Sequence, residues 1–218
     1  MSKFPISWRP DPTLKPATGE HFARAPAGAN ATQSVLRLLS RCPIPGQDVV
    51  AVDEVTNPDM VDAFHARLAM LQTRSGNPPF QPKFRQQDMH IPDRELTLGA
   101  LKLLSVDFSD SEFPDVNIVP VWHGTTQAAL PSIMRGSFAN LASTDSGFFG
   151  KGIYGTPDAE YSYRCYAKPS GVLMMCFFSF YSAYPVCGYS DMSDKLGVLR
   201  TRNNALTLYF KGHAQQRF

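Results

Sequence analysis

The sequence is short of charge. Charged residues make up 18% of its 218 residues, below the roughly one quarter of an average soluble chain. Lys and Arg total 21 against 19 for Asp and Glu, so the formal net charge is +2. The two signs are interspersed, and no long-range field gathers nucleic acid or an anionic membrane. Cysteine is scarce and irregular: Cys42, Cys165, Cys176 and Cys187 form no C-x-x-C and no Cys/His cluster at zinc spacing. The spacing therefore points to no structural metal, and a chain of this size needs no disulfide scaffold. A long hydrophobic run is also missing. The longest, from Gly171 to Val186, is broken by Ser179, Ser182 and Pro185. A membrane helix needs about 20 apolar residues, so this run reads as buried strand. The opening MSKFPISWRPDP has no apolar core of a secretory signal. These absences set an intracellular, cytoplasmic or nuclear expectation.

Enough is present for an ordinary folded domain. Hydrophobic residues reach 43%, which excludes global disorder. The length suits one domain with a tail. Residues 1–45 divide into a Pro/Ala-rich tail, loosely draped up to about residue 31, and a short helix from Gln33 to Cys42 that Pro43 ends. Residues 46–218 form the main domain. Val49 to Val55 reads as a strand. Asn57-Pro58-Asp59 is a strong helix start, with Asn as N-cap, Pro at the first position and a carboxylate in the first turn. That helix carries Met60, Phe64, Leu68 and Leu71 on one stripe and stops at Arg74–Gly76. His65, one step off the stripe, reads as a surface or boundary histidine. Residues 76–93 read as a long loop. The apolar set Leu96, Leu98, Leu101, Leu103 and Leu104 suits helix or strand. Ile118 to His123 reads as strand, and Gly171 to Phe180 as a central strand buried on both faces.

Chemistry concentrates between Val121 and Val186. His123-Gly124-Thr125 follows a strand: imidazole can bond a hydroxyl, glycine admits a ligand to the backbone, and Thr adds a hydroxyl. Then comes Gly147-Phe-Phe-Gly-Lys-Gly-Ile-Tyr154, with three glycines in six positions. It meets neither the P-loop nor the G-x-G-x-x-G pattern; a phosphate-cradling turn and a plain hairpin entering a strand at Ile153-Tyr154 both fit. Thr156-Pro157-Asp158 repeats the helix-start signal. On the helix that follows, Ser162 and Tyr166 stand four apart on one face. A hydroxyl beside an aromatic ring can grip a flat, amide-bearing ring. A tyrosine-rich, half-buried helix gives the same pattern. No G-x-S-x-G is present, and no cysteine has a histidine context that makes it a nucleophile.

In this order and spacing, H-G-T, the G-F-F-G-K-G-I-Y block, the Ser/Tyr helix and the buried strand resemble the catalytic domain of the poly(ADP-ribose) polymerases. These are the diphtheria-toxin-like ADP-ribosyltransferases. The segment V-A-V-D-E-V-T-N-P-D-M from Val50 resembles the strand, turn and helix that open that domain, so the resemblance spans about Val49 to Val186. It implies an α+β fold, with two packed and mostly antiparallel sheets and peripheral helices. It also implies NAD as co-substrate, no metal, and a protein side chain as acceptor. His123 matches the histidine that bonds the adenosine ribose. Gly124 matches the glycine whose backbone grips the nicotinamide carboxamide, and Thr125 the hydroxyl residue beside it. Tyr154 matches the first tyrosine on nicotinamide and Ser162 the serine that bonds the carboxamide. The second stacking tyrosine falls on Tyr166 or, with a different helix length, on Tyr163. Lys151 is structural or substrate-adjacent.

The chain departs from the family in three places. Gly155-Thr156 stand where Phe-Ala is usual. The stretch from Gly136 to Gly147 is short, which implies a small loop over the donor site. The glutamate that supports chain elongation has no counterpart: with the last strand candidate, Ala205 to Phe210, aligned to the family's late strand, its position falls at Asn204 or Ala205, and no acidic residue follows Asp194. Family domains often continue further past the buried strand, so a shortened C-terminal end is expected. The resemblance then implies a mono-ADP-ribosyltransferase. Its alternative is a catalytically inactive module of this fold that binds NAD, ADP-ribose or a partner protein.

Overall fold

The computed structural model describes residues 13–80, 91–104, 113–138, 153–167, 172–180, 201–202, 205–206 and 210–212. It is a mixed helix and strand protein with small antiparallel sheets. Its centre is a two-stranded ribbon of β3 (Asn117–Thr125) and β5 (Val172–Phe180), in register from Asn117 opposite Phe180 to Thr125 opposite Val172. Successive side chains leave a strand on opposite faces, and both faces of this ribbon are covered. On one face Leu68 and Leu71 of α2 (Pro58–Ser75) pack with Val116, Ile118 and Phe177. On the other, Leu101 of α3 (Ile91–Leu104) packs with Val119, Val121, Cys176 and Phe178. The ribbon is thus the middle of three layers. Burial pushes the Cys176 thiol up to about 12, so it behaves as a small apolar residue. Every residue of β5 is half-buried, less enclosed than the expected central strand.

The segment of Leu96 to Leu104 is helical. Its apolar spacing brings Leu101 onto the ribbon while Leu96 stays exposed. Pro120 sits inside β3 without weakening the ribbon. It shares a parity with Trp122, whose N–H and C=O turn away from β5 to bond Thr156 at 2.7 and 3.1 Å. The missing N–H of Pro120 therefore lies on that same outer edge.

Asn57 caps α2 as its sequence position implies, with Oδ1 accepting from the Met60 N–H at 3.2 Å. Its second role has no local signal. Asn57 Nδ2 donates to the carbonyls of Met134 (2.9 Å) and Arg135 (3.1 Å), at the end of α4 (Leu130–Gly136). One buried amide thus joins two helices distant in sequence. Asn57→Ala is expected to cost about 2–3 kcal/mol, the sum of a lost cap and two stranded carbonyls. Asn57→Asp keeps the cap acceptor but turns a carboxylate oxygen toward two carbonyls. In urea unfolding it should fall closer to Ala than to wild type; equality with wild type would show that the cap alone matters. The far end of α2 is tied to the start of β3 by Gln72 Nε2 and Ser75 Oγ, which donate to Asp115 Oδ2 at 2.7 and 3.0 Å.

The N-terminal region is more structured than its composition implies. β1 (Ala23–Pro26) pairs antiparallel with β2 (Asp53–Thr56), which starts later than the expected Val49–Val55 strand and runs on to Thr56; Val49 to Val52 are not strand. Pro26 closes β1 at its end, where a missing N–H is tolerated. Arg24 Nε donates to Asp53 Oδ2 at 2.8 Å across the pair. The helix α1 (Ala29–Leu39) begins earlier than Gln33 and ends three residues before Cys42. Among the described residues no helix is long and apolar enough to cross a membrane.

Candidate functional site

The end of β3 is where the other elements meet. β4 (Ile153–Gly155) leads into Thr156, and the two backbone bonds between Thr156 and Trp122 lay this segment along the outer edge of β3. On its own far side β4 pairs with β8 (Phe210–Gly212), with Tyr154 opposite Lys211. The crossing of β4 over β3 is close. A Cβ on Gly155 would lie 2.6 Å from Val121 Cγ2 and 3.1 Å from Phe178 Cζ.

The crossing brings His123 and Tyr154 together. His123 Nδ1 is 3.0 Å from the Tyr154 carbonyl oxygen. A carbonyl only accepts, so Nδ1 carries the proton and the neutral ring presents Nε2 as an acceptor. Phe138 packs edge-on to the imidazole at 4.6 Å between centroids. It follows Ser137, whose φ of 65° and ψ of −171° lie in a region nearly reserved for glycine. Burial holds the His123 pKa below its ordinary 6.5, and the Tyr154 carbonyl only partly opposes that shift.

The helix after Asp158 is not the single α-helix its spacing implies. Thr156 is drawn into the bridge to Trp122, so Asp158 caps instead, with Oδ1 accepting from the Tyr161 N–H at 2.9 Å. α5 (Ala159–Ser162) lasts one turn and passes into a π-helical turn, Tyr163–Ala167. Such wide turns are frequent at functional sites. This one wraps the end of β3. A Cβ on Gly124 would overlap the Ser162 carbonyl oxygen and lie 2.9 Å from both Ala167 N and Tyr166 Cβ. Ser162 is 1% exposed while Tyr166 is 54% exposed, its ring edge-on to Tyr161 at 6.1 Å.

The structure therefore brings His123, Gly124, Tyr154, Ser162 and Tyr166 to one end of the ribbon. Thr125, next along β3, is buried at 7% exposure. Tyr163 turns elsewhere: its hydroxyl donates to Gln47 Oε1 at 2.8 Å. Gly147 to Gly152, including Lys151, and Asn204 lie outside the described residues. Gly124 has the same parity as Trp122, so its N–H and C=O also turn away from β5. Neither is bonded by another described backbone group. Among the described residues no group of three or more His, Cys, Asp or Glu is arranged to hold a metal ion. Comparison with protein-family models and with curated proteins finds no match.

Proposed function

We propose that the protein is a mono-ADP-ribosyltransferase with the fold of the poly(ADP-ribose) polymerase catalytic domain. It uses NAD as donor and a protein side chain as acceptor. One observation carries this reading: the outward-facing backbone pair of Gly124, closed against Ser162 and Tyr166. A primary carboxamide has one donor face and one acceptor face. It meets the Gly124 C=O and N–H as a neighbouring strand would, and the absence of a side chain lets the turn from Ser162 to Ala167 close over that edge. Tyr154 and Tyr166 sandwich the pyridinium ring, and the Ser162 hydroxyl bonds the carboxamide oxygen. His123 Nε2 accepts from an adenosine ribose hydroxyl, which its tautomer requires.

Held at both ends, NAD presents the bond between nicotinamide and ribose C1. That bond breaks with its electron pair leaving on nicotinamide, and the ribose passes through a cation-like state. The acceptor side chain bonds C1 and gives up its proton. The aligned third position, Asn204 or Ala205, supplies no carboxylate to activate a ribose hydroxyl, so a single unit is transferred. That same absence favours the second reading, a module that binds NAD without cleaving it.

The test is nicotinamide release and NAD binding on the same samples. His123→Ala is expected to weaken NAD binding about tenfold, the worth of one good hydrogen bond, and to cut release at least as much. Binding by wild type should stay flat down to the ordinary imidazole value of about 6.5 and weaken only at lower pH, as His123 with its lowered pKa takes up a proton and loses the lone pair at Nε2. Binding without release would favour the inactive module. Neither binding nor release from folded protein would sink both readings.

A further inference from the structure

The π-helical turn is tied to a part of the chain that precedes the transferase-like segment. Ile44-Pro45-Gly46-Gln47 forms a tight turn in which the Gln47 N–H donates to the Ile44 carbonyl at 3.2 Å. Pro occupies the second position, and Gly46 takes the third with φ of 71°, the arrangement of a type II turn that strains any other residue there. The turn presents Gln47. Its Nε2 donates to the Gly46 carbonyl at 2.7 Å, which orients the amide and leaves Oε1 to accept from the Tyr163 hydroxyl at 2.8 Å. Burial, and to a lesser degree the negative charges of Asp158 and Glu160, raise the pKa of the Cys42 thiol. The loop that follows Cys42 is thus joined to the start of the π-helical turn by the bond from Tyr163 to Gln47.

A π-helical turn is a high-energy local conformation that persists only when its surroundings hold it. Tyr163 opens this turn, and Tyr166 and Ala167 close it against Gly124. We propose that Gln47 is a positioning residue for the nicotinamide site, acting as a strap that fixes the turn through the Tyr163 hydroxyl. The proposal rests on the donor-site reading above for its ligand but not for its structural half. Gln47 touches no substrate. It sets where the Tyr166 ring stands and how closely the turn backs the Gly124 edge.

The experiment compares wild type, Gln47→Ala, Tyr163→Phe, the double variant and Gln47→Glu. Two readouts are taken: amide hydrogen exchange over residues 161–167 without ligand, and NAD affinity. Gln47→Ala and Tyr163→Phe should each speed exchange in the turn and weaken NAD binding by about three- to ten-fold, the range for one hydrogen bond. The double variant should be no worse than either single variant. Gln47→Glu keeps an acceptor for the hydroxyl but turns a carboxylate oxygen toward the Gly46 carbonyl, so it should recover part of both readouts relative to Gln47→Ala, which general loosening of the surface would not explain. Unchanged exchange in both single variants would overturn the strap. Faster exchange with unchanged NAD affinity would overturn its positioning role. If wild type binds no NAD, the donor-site reading fails and the affinity half falls with it, while the exchange arm still decides the strap.

Discussion

Gly124→Ala is expected to abolish NAD binding and nicotinamide release and to cost about 3 kcal/mol of folding stability. The added methyl would overlap the Ser162 carbonyl oxygen and come to 2.9 Å from Ala167 N. Both are backbone atoms, and no side-chain rotation relieves them, so the whole turn must withdraw. Overpacking a closed site costs about 1–3 kcal/mol, and this contact belongs at the top of that range. The functional loss is larger than the stability loss. Withdrawal moves Ser162 and Tyr166 together away from the Gly124 edge on which the proposed carboxamide site depends. A drop in NAD affinity of more than about a hundredfold is expected, since several interactions of about 1 kcal/mol each are lost at once. Gly99 is the internal control. It is an exposed residue of α3, and a Cβ placed there would meet nothing within 4 Å, so alanine should raise stability by up to about 1 kcal/mol. A folded Gly124→Ala protein that binds NAD within tenfold of wild type would show that the ligand does not use this edge.

How far the sequence anticipates these features depends on whether their cause is local. Asn57-Pro58-Asp59 encodes a helix start within three residues, and α2 begins there. The apolar stretches at Ile118 and Val172 encode strands, and β3 and β5 form from them. His123 and Gly124 stand out because they close a strand. The features that escape have causes distant in the chain. α4 carries little periodicity in seven residues and is fixed partly by the Asn57 amide. Thr156 has every mark of an N-cap, yet the bridge to Trp122 takes it and capping passes to Asp158. The π-helical turn looks like ordinary helix in sequence, since a wide turn leaves no mark in residue type. Gln47 is announced only by the Pro45-Gly46 pair before it, a turn signal whose partner lies 116 residues away. Tyr163 and Tyr166 are equivalent by spacing and differ only in what they meet: Gln47 for one, the Gly124 edge for the other.

Gly155 stands where the resembling family carries a larger residue, and its neighbours explain how the chain uses the smaller one. A Cβ there would press on Val121 at 2.6 Å from Cγ2 and 3.0 Å from Cβ. Val121 is fully buried and β-branched, so its χ1 has little freedom to move aside. Phe178 closes the remaining side at 3.1 Å. Gly155→Ala should therefore cost about 2 kcal/mol and lift β4 from β3. The Tyr154 carbonyl then leaves His123 Nδ1. Without that acceptor the imidazole loses its reason to keep the proton on Nδ1, and the tautomer with Nε2–H cannot accept from a ribose hydroxyl. NAD affinity should fall by at least tenfold, beyond what thermal destabilisation alone produces in protein that is still fully folded at the assay temperature. Val121→Ala removes Cγ2, the nearest obstacle, but not Cβ. Combined with Gly155→Ala it should recover part of the affinity and cost less stability than the two changes added separately. Full additivity in the pair would mean that the two side chains do not meet, and that β4 is held against β3 only by the Thr156 bridge.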